Sequence, residues 1–209
     1  MTILIGDDHS VVRRGLKTIL LDAYPFAQID EASDGTELLE KALKQDWSII
    51  ISDITMPGYT GIEVLKLLKE KKPKQPVLML SVHAPEQYAI RTLKAGASGY
   101  LTKESAPDEL VKAVQHILSG RKYITPEVAE LLVFMNSDDD ANKKLHESLS
   151  DREFEVLKLI ASGKTVSQIA EILILSIHTI STYRSRILEK MHMSTNAELT
   201  KYAITNQLV

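Results

Sequence analysis

The chain has 209 residues, no cysteine and a formal net charge of −3. That length suits two small domains, and the missing cysteine excludes disulfide frameworks and thiolate metal sites. Hydrophobic residues at 44% and charged residues at 25% set the chain apart from disordered sequences. The opening Met1-Thr2-Ile3-Leu4-Ile5-Gly6-Asp7-Asp8 is too short an apolar run for a signal peptide, and no stretch approaches the roughly 20 apolar residues of a membrane span. A soluble cytoplasmic protein with no membrane partner is expected. The negative charge argues against a general nucleic-acid coat but leaves room for DNA binding through a local polar or basic face.

Strands are predicted at 2–6, 28–32, 48–52 and 77–80, and a fifth within 97–101. Helical periodicity fills the gaps. Residues 9–22 turn Val12, Leu16, Ile19 and Leu20 inward. A helix after Asp34-Gly35 carries Leu38, Leu39, Ala42 and Leu43, and one after Met56-Pro57-Gly58 carries Ile62, Leu65 and Leu68. Another spans about 85–94, and the last, after Pro107, holds Leu110, Val111, Val114 and Leu118. The strands read as continuous apolar runs, which implies burial on both faces, as in a parallel sheet between helices. Five βα units in succession give a doubly wound α/β domain with a five-stranded parallel sheet. Its sites form beyond the carboxyl ends of the strands.

Polar residues gather at those ends. Asp7 and Asp8 lie just past the first strand, Asp53 just past the third, Ser81 ends the fourth, and Lys103 follows the fifth. Acids and turn formers commonly end strands, but five such residues on one edge suggest phosphoryl transfer to a carboxylate. Three clustered carboxylates repel one another unless a cation neutralises them, and oxygen-only ligands suit Mg²⁺ or Mn²⁺. The metal and a lysine ammonium would offset charge on phosphoryl oxygens. One carboxylate would act as nucleophile and form an acyl phosphate, which the Ser81 hydroxyl can detect. A metal-dependent phosphatase or phosphotransferase is the rival use of the same acids. Met79 and Trp47 read as packing residues, and His83 and His116 as surface or partly buried histidines.

A short helical segment is predicted over 123–135, and 136–144 (NSDDDANKK) is a linker by composition. From Leu149 the pattern is purely helical. Ser150-Asp151-Arg152-Glu153 is a capping box with Leu149 and Phe154 as its hydrophobic staple, heading a helix that carries Val156, Leu157, Ile160 and Ala161 up to Gly163. Thr165-Val166-Ser167-Gln168 starts a second helix with Ile169, Ala170, Ile172 and Leu173. Ser176 caps a third that runs to about Met191. Thr195-Asn196-Ala197-Glu198 starts a fourth with Leu199, Tyr202 and Ala203. On the third helix Ile180, Tyr183, Ile187 and Met191 share one face, with Leu188 at its edge. The opposite face carries His178, Thr182 and Ser185, flanked by Ser181 and Arg186. With the short Ile174-Leu175 turn this reads as a helix-turn-helix, whose second helix can enter a major groove. The bland alternative is a helical interaction domain with a solvated face.

Residues 1 to about 120 resemble a response-regulator receiver domain, of flavodoxin-like fold. The resemblance rests on Asp7-Asp8-His9, Asp53 with Thr55-Met56-Pro57-Gly58 and Gly61, Ser81, Ala95-Gly96-Ala97, Gly99-Tyr100 and Lys103. It implies that Asp53 is the phosphoacceptor. It also implies that Asp8 and Asp53 bind Mg²⁺ directly, with Asp7 helping through water and Thr55 giving its backbone carbonyl. By the same resemblance Lys103 pairs with the phosphoryl group, Ser81 and Tyr100 switch conformation, and a partner sensor histidine kinase supplies the phosphate. Two positions depart from the pattern. Glu104 follows the lysine where many receivers have proline, so a cis X–Pro bond is not available. Val82 follows Ser81 where many have a smaller residue; its β-branched side chain would obstruct attacking water and slow loss of phosphate.

Residues from about 146 to the last resemble the helix-turn-helix of the NarL/FixJ (LuxR-type) regulators. The matching residues are Leu149-Ser150, Arg152-Glu153, Glu155-Val156-Leu157, Gly163, Ile169-Ala170, Leu175-Ser176, Thr179-Ile180 and Ala197-Glu198-Leu199. This resemblance places Ser181, Thr182 and Ser185 where base- or phosphate-facing residues are expected. Several members carry lysine at two of those positions, and often histidine where this chain has Tyr183. Arg186 is expected on phosphate, and Arg184, nearer the core edge, is a further candidate for DNA contact. Together the resemblances imply a two-component response regulator with three parts: a receiver at 1–120, a helical appendix and linker at 121–145, and a DNA-binding domain at 146–209. Phosphorylation would control homodimerisation and binding to double-stranded DNA. A regulator that keeps the acids only for structure is the other reading. An autoinducer-binding regulator is disfavoured, because the front half carries an acid set instead of an apolar ligand pocket.

Overall fold

The computed structural model describes residues 1–82, 85–137 and 144–209. His83 and residues 138–143, including the acidic run of the expected linker, lie outside the described residues. Two compact units divide the chain, Met1–Ser137 and Asp138–Val209.

The first unit is built on five parallel strands, β1 (Thr2–Gly6), β2 (Gln28–Ala32), β3 (Ile49–Asp53), β4 (Val77–Ser81) and β5 (Gly99–Thr102), in the order β2-β1-β3-β4-β5. β1, β3 and β4 are apolar runs buried on both faces, as a parallel sheet covered by helices demands. β2 is different: its QIDEA sequence alternates exposed and half-buried residues, and only Ala32 is buried. As an edge strand it can carry Asp30 and Glu31, which pair with Lys41 and with Arg13 and Lys17. The expectation of continuous apolar strands fails there for that reason.

Between the strands run α1 (Ser10–Ala23), α2 (Gly35–Lys44), α3 (Gly61–Lys71), α4 (Pro85–Lys94) and α5 (Ala106–Leu118). Their starts follow local chemistry. The Asp34 side chain accepts from the Thr36 and Glu37 amides, and Thr60 and Glu63 form a complete capping box. Leu16, Leu20, Leu38, Ala42, Ile62, Leu65 and Leu68 are buried, and Val12 and Ile19 pack against the core. In α5, Leu110 and Val114 are buried as expected, but Leu118 is 39% exposed, and Ala113 and Ile117 face the core instead. Leu118 is the last helical residue and has turned past the inward stripe. Trp47 and Met79 are buried packing residues. Among the described residues no peptide bond is cis, the one after Lys103 included. None of their helices is long and apolar enough to cross a membrane.

Beyond β5, Tyr123 makes a parallel bridge to Gly99, and α6 (Pro126–Ser137) lies against α4 with Val128 buried.

A short 3-10 helix (Leu145–Ser148) opens the second unit, followed by α7 (Asp151–Ala161), α8 (Val166–Leu173), α9 (Ile177–Lys190) and α10 (Asn196–Thr205). Ser150–Glu153, Thr165–Gln168 and Thr195–Glu198 all form capping boxes, and Ser176 accepts from the Thr179 amide. Gly163 takes φ +79°, a left-handed value open to glycine, just past α7. Leu149, Phe154, Val156, Leu157, Ile160, Ile169, Leu173, Ile180, Ile187, Met191, Leu199 and Ala203 are buried. Ile172 is not: it is 47% exposed.

Candidate functional site

The strand order reverses between β1 and β3. The chain steps outward from β1 to β2, then returns to the far side of β1 to continue with β3, β4 and β5. The carboxyl ends of β1 and β3 therefore flank the crevice where doubly wound sheets place their sites. Asp7 follows β1 directly and is fully buried; Asp8 beside it is exposed. Asp53 is the last residue of β3, one step inside the position expected for it, and is buried. Lys103, just past β5, reaches across to both acids. Its Nζ lies 2.8 Å from Asp53 Oδ2, to which it donates a hydrogen bond. It also lies 2.6 Å from Asp7 Oδ2, a buried ion pair.

The backbone fixes these groups. Asp53 Oδ1 accepts from the Ile54 amide at 2.7 Å, and Asp7 Oδ1 accepts from the His9 amide at 2.8 Å. The Lys103 amide donates to the Ser81 carbonyl at 2.7 Å, tying the lysine to the end of β4. The first residue of α3 must be glycine: a Cβ on Gly61 would meet the Asp53 carbonyl oxygen at 1.9 Å. Thr55 follows two residues after Asp53 and is half-buried.

Burial raises the Asp53 carboxyl to about 6; the Lys103 ammonium opposes this, and the neighbouring Asp7 adds to it. Burial works to lower the Lys103 pKa, but the two carboxylates outweigh it and hold the ammonium above its ordinary range. Ser81 and Tyr100 are both buried, and the Tyr100 phenol is hydrogen-bonded to Ser81. Burial pushes that phenol up to about 12, so it stays protonated and available as a donor.

Asp7, Asp8, His9 and Asp53 each offer one ligand atom, and all these atoms lie within 4.8 Å of one another. Three carboxylates bring hard oxygen donors this close together, with Lys103 bridging Asp7 and Asp53, and such a donor set fits a divalent cation. His9 has no assigned role in the sequence reading, yet its Nδ1 lies 2.7 Å from Asp8 Oδ1. Its signal was adjacency alone. Arg13 is a second such residue, donating from Nη1 to the Asp7 carbonyl at 2.6 Å.

In the second unit, α9 turns Ile180, Ile187 and Met191 inward, with Tyr183 and Leu188 half-buried beside them. His178, Ser181, Ser185 and Arg186 are exposed, and Thr182 and Arg184 are half-buried. The hydroxyls of Ser181, Thr182 and Ser185 donate to the carbonyls of Ile177, His178 and Ser181, one turn back. Arg184 Nε donates to Asn196 Oδ1 at 2.6 Å, which binds α9 to the start of α10. Lys190 Nζ donates to Glu153 Oε2 at 2.6 Å, which binds the other end of α9 to α7. Neither tether was legible in the sequence, because both join residues far apart in the chain.

An acidic pocket at the sheet switch point and a capped helix-turn-helix define a two-part signalling protein. Comparison with known proteins agrees. Residues 3–115 match the response regulator receiver domain, and residues 147–203 match the LuxR family of bacterial regulatory proteins. Response regulator GacA of Pseudomonas protegens is 34% identical over 207 residues, covering 99% of this chain and 97% of the relative. Response regulator UvrY of Escherichia coli K12 is 31% identical over 208 residues, covering 100% of this chain and 95% of the relative. Among solved structures, RcsB of Salmonella enterica serovar Typhimurium bound to promoter rprA with phosphomimetic BeF₃⁻ superposes with a TM-score of 0.64. It shares 28% identity, and the match covers 97% of each chain. The chain belongs to the LuxR-type response regulators, with an N-terminal receiver domain and a C-terminal helix-turn-helix DNA-binding domain. This family consists of transcription regulators, which decides against the phosphatase or phosphotransferase reading of the acids.

Proposed function

We propose that a sensor histidine kinase phosphorylates Asp53, and that the phosphorylated chain forms a homodimer in the cytoplasm and binds double-stranded DNA to regulate transcription. The observation that carries this reading is Lys103 held against both Asp53 and Asp7 at the mouth of the sheet. A carboxylate oxygen of Asp53 attacks the phosphorus of the donor's phosphohistidine. The phosphorus–nitrogen bond breaks, its electron pair leaves on the imidazole, and an acyl phosphate remains on Asp53. Lys103 neutralises charge on the phosphoryl oxygens. Mg²⁺, held by Asp8 and Asp53 with Asp7 through water and the Thr55 carbonyl, would supply further neutralisation there; Mn²⁺ suits the same donors.

Ser81 then donates to a phosphoryl oxygen while accepting from the Tyr100 phenol. The hydrogen bond already joining Ser81 and Tyr100 supports this coupling, since any movement of one changes the other. In this reading 1–120 is the receiver, 121–145 the helical appendix and linker, and 146–209 the DNA-binding domain. Ser181, Thr182, Ser185 and His178 face base edges, and Arg186 faces phosphate. Arg184 acts mainly in holding α9 to α10.

Intact-mass measurement of the purified protein with a small phosphodonor and Mg²⁺ tests the chemistry. One added phosphate on wild type and none on Asp53→Ala is the expected result. Steady release of inorganic phosphate without a modified chain would contradict it.

A further inference from the structure

The outward face of α9 is poor in donors, and this constrains which bases it can read. Its serine and threonine protons are spent on carbonyls of their own helix, at 2.9 Å for Ser181, 3.0 Å for Thr182 and 3.1 Å for Ser185. What these side chains present outward is acceptor lone pairs and carbon. Arg184 is half-buried at the edge of this face and donates from Nε to Asn196. Among the exposed residues of α9 the strong donors are His178, Arg186 and Lys190, and Lys190, at the far end of the helix, donates to Glu153. The bidentate donor pair that reads guanine O6 and N7 has no counterpart among Ser181, Thr182 and Ser185.

In the same column stands an exposed apolar residue. Ile177 is the first residue of α9 and is 56% exposed. Ile177, Ser181 and Ser185 are spaced four apart, so they line one stripe of the helix. The Ser181 and Ser185 back-bonds run along that stripe. An exposed isoleucine contributes little to the stability of its own unit. Placed beside residues that would face base edges, it matches the C5 methyl group of thymine, the one apolar feature of the major-groove floor.

We propose that α9 reads A·T base pairs through thymine methyls, with Ile177 and the Thr182 methyl as the specificity-determining contacts. The hydroxyl oxygens accept from adenine N6. This rests on the DNA-binding reading above and deepens it by naming the base class of the target.

The test uses the full-length protein with phosphodonor and Mg²⁺. Bound duplexes are first selected from a random pool. Each thymine of the winning site is then replaced in turn by deoxyuridine, which removes only the methyl. At one or more positions the change is expected to weaken wild-type binding by about three- to fivefold. Ile177→Ala or Thr182→Ser should abolish that sensitivity at its own position. Thr182→Ser removes the methyl and keeps the hydroxyl, and Ile177 is largely exposed, so both variants should melt near wild type. Deoxyuridine tolerated within twofold at every thymine overturns the proposal and leaves DNA binding intact, as does unchanged sensitivity in both variants. A pool that yields no enriched sequence overturns the proposal together with the DNA-binding reading.

Discussion

Burial raises the Asp53 carboxyl to about 6, with Lys103 and the Ile54 amide offsetting part of the cost of its charge. Its folded pKa, about 6, lies above the ordinary 3.8, so folding takes up a proton at this site. That contribution favours the folded state below pH ~4 and is lost as the pH rises through about 6. In cation-free protein, Asp53→Asn should therefore raise stability to chemical denaturation at pH 7.5 by about 1–2 kcal/mol, and by less at pH 5. A less stable variant at pH 7.5 would contradict this account of the pocket. By the same sign, affinity for Mg²⁺ should weaken as the pH falls below about 6, because the ligand must be ionised. At Val82, 69% exposed, substitution costs little packing. Val82→Ala should speed loss of phosphate from Asp53, and an unchanged rate would show that the β-branched side chain does not hinder water. The acids, Ser81 and Lys103 were legible because each stands at a strand end. The pairing of Lys103 with Asp7 was not, since β5 and β1 are separated in the sheet by β3 and β4.

Elements add tethers and strain that local patterns do not reveal. Ile174 closes α8 at φ 54°, ψ 48°, a left-handed conformation that costs a β-branched residue about 1–2 kcal/mol, and it is 70% exposed. Replacing it by Gly or Asn should stabilise the second unit by about 1 kcal/mol in thermal or denaturant melts; a loss of stability would mean that its side chain makes a contact worth more than the strain. Burial works to raise the Glu153 pKa, but Lys190 and the Ser150 amide and hydroxyl outweigh it and hold the carboxyl below its ordinary range. Its contribution is therefore present above pH ~4.5 and lost as the pH falls through the lower folded value. Lys190→Met should cost about 0.5–1 kcal/mol at pH 7, since the lysine is partly solvated, and nearly nothing once Glu153 is protonated. The caps at Ser150, Thr165 and Thr195 were legible, because cap and partner lie three residues apart, whereas the Thr60–Glu63 box was not among the expected ones. The edge position of β2 and the outward turn of Leu118 were not: burial there depends on neighbours that a local window does not contain.

At the scale of the whole molecule, residues 146–209 carry seven basic and seven acidic residues. Such a balance gives little non-specific attraction to phosphate, so the slope of log affinity against log salt should be shallow. Arg186→Ala should weaken binding nearly uniformly across sequences and flatten that slope by about one further unit. Thr182→Ala and Ser185→Ala should change sequence preference instead. A weak single module gains most from pairing, because a second linked contact binds at high effective concentration. In the proposed function this gives phosphorylation a physical reason to act through dimerisation. The decisive measurement is DNA affinity of wild type and Asp53→Ala, each with and without phosphodonor and Mg²⁺. Tighter binding on phosphorylation of the wild type alone is the expected result. A phosphorylated wild type with unchanged affinity would contradict the link between the pocket and the helix-turn-helix.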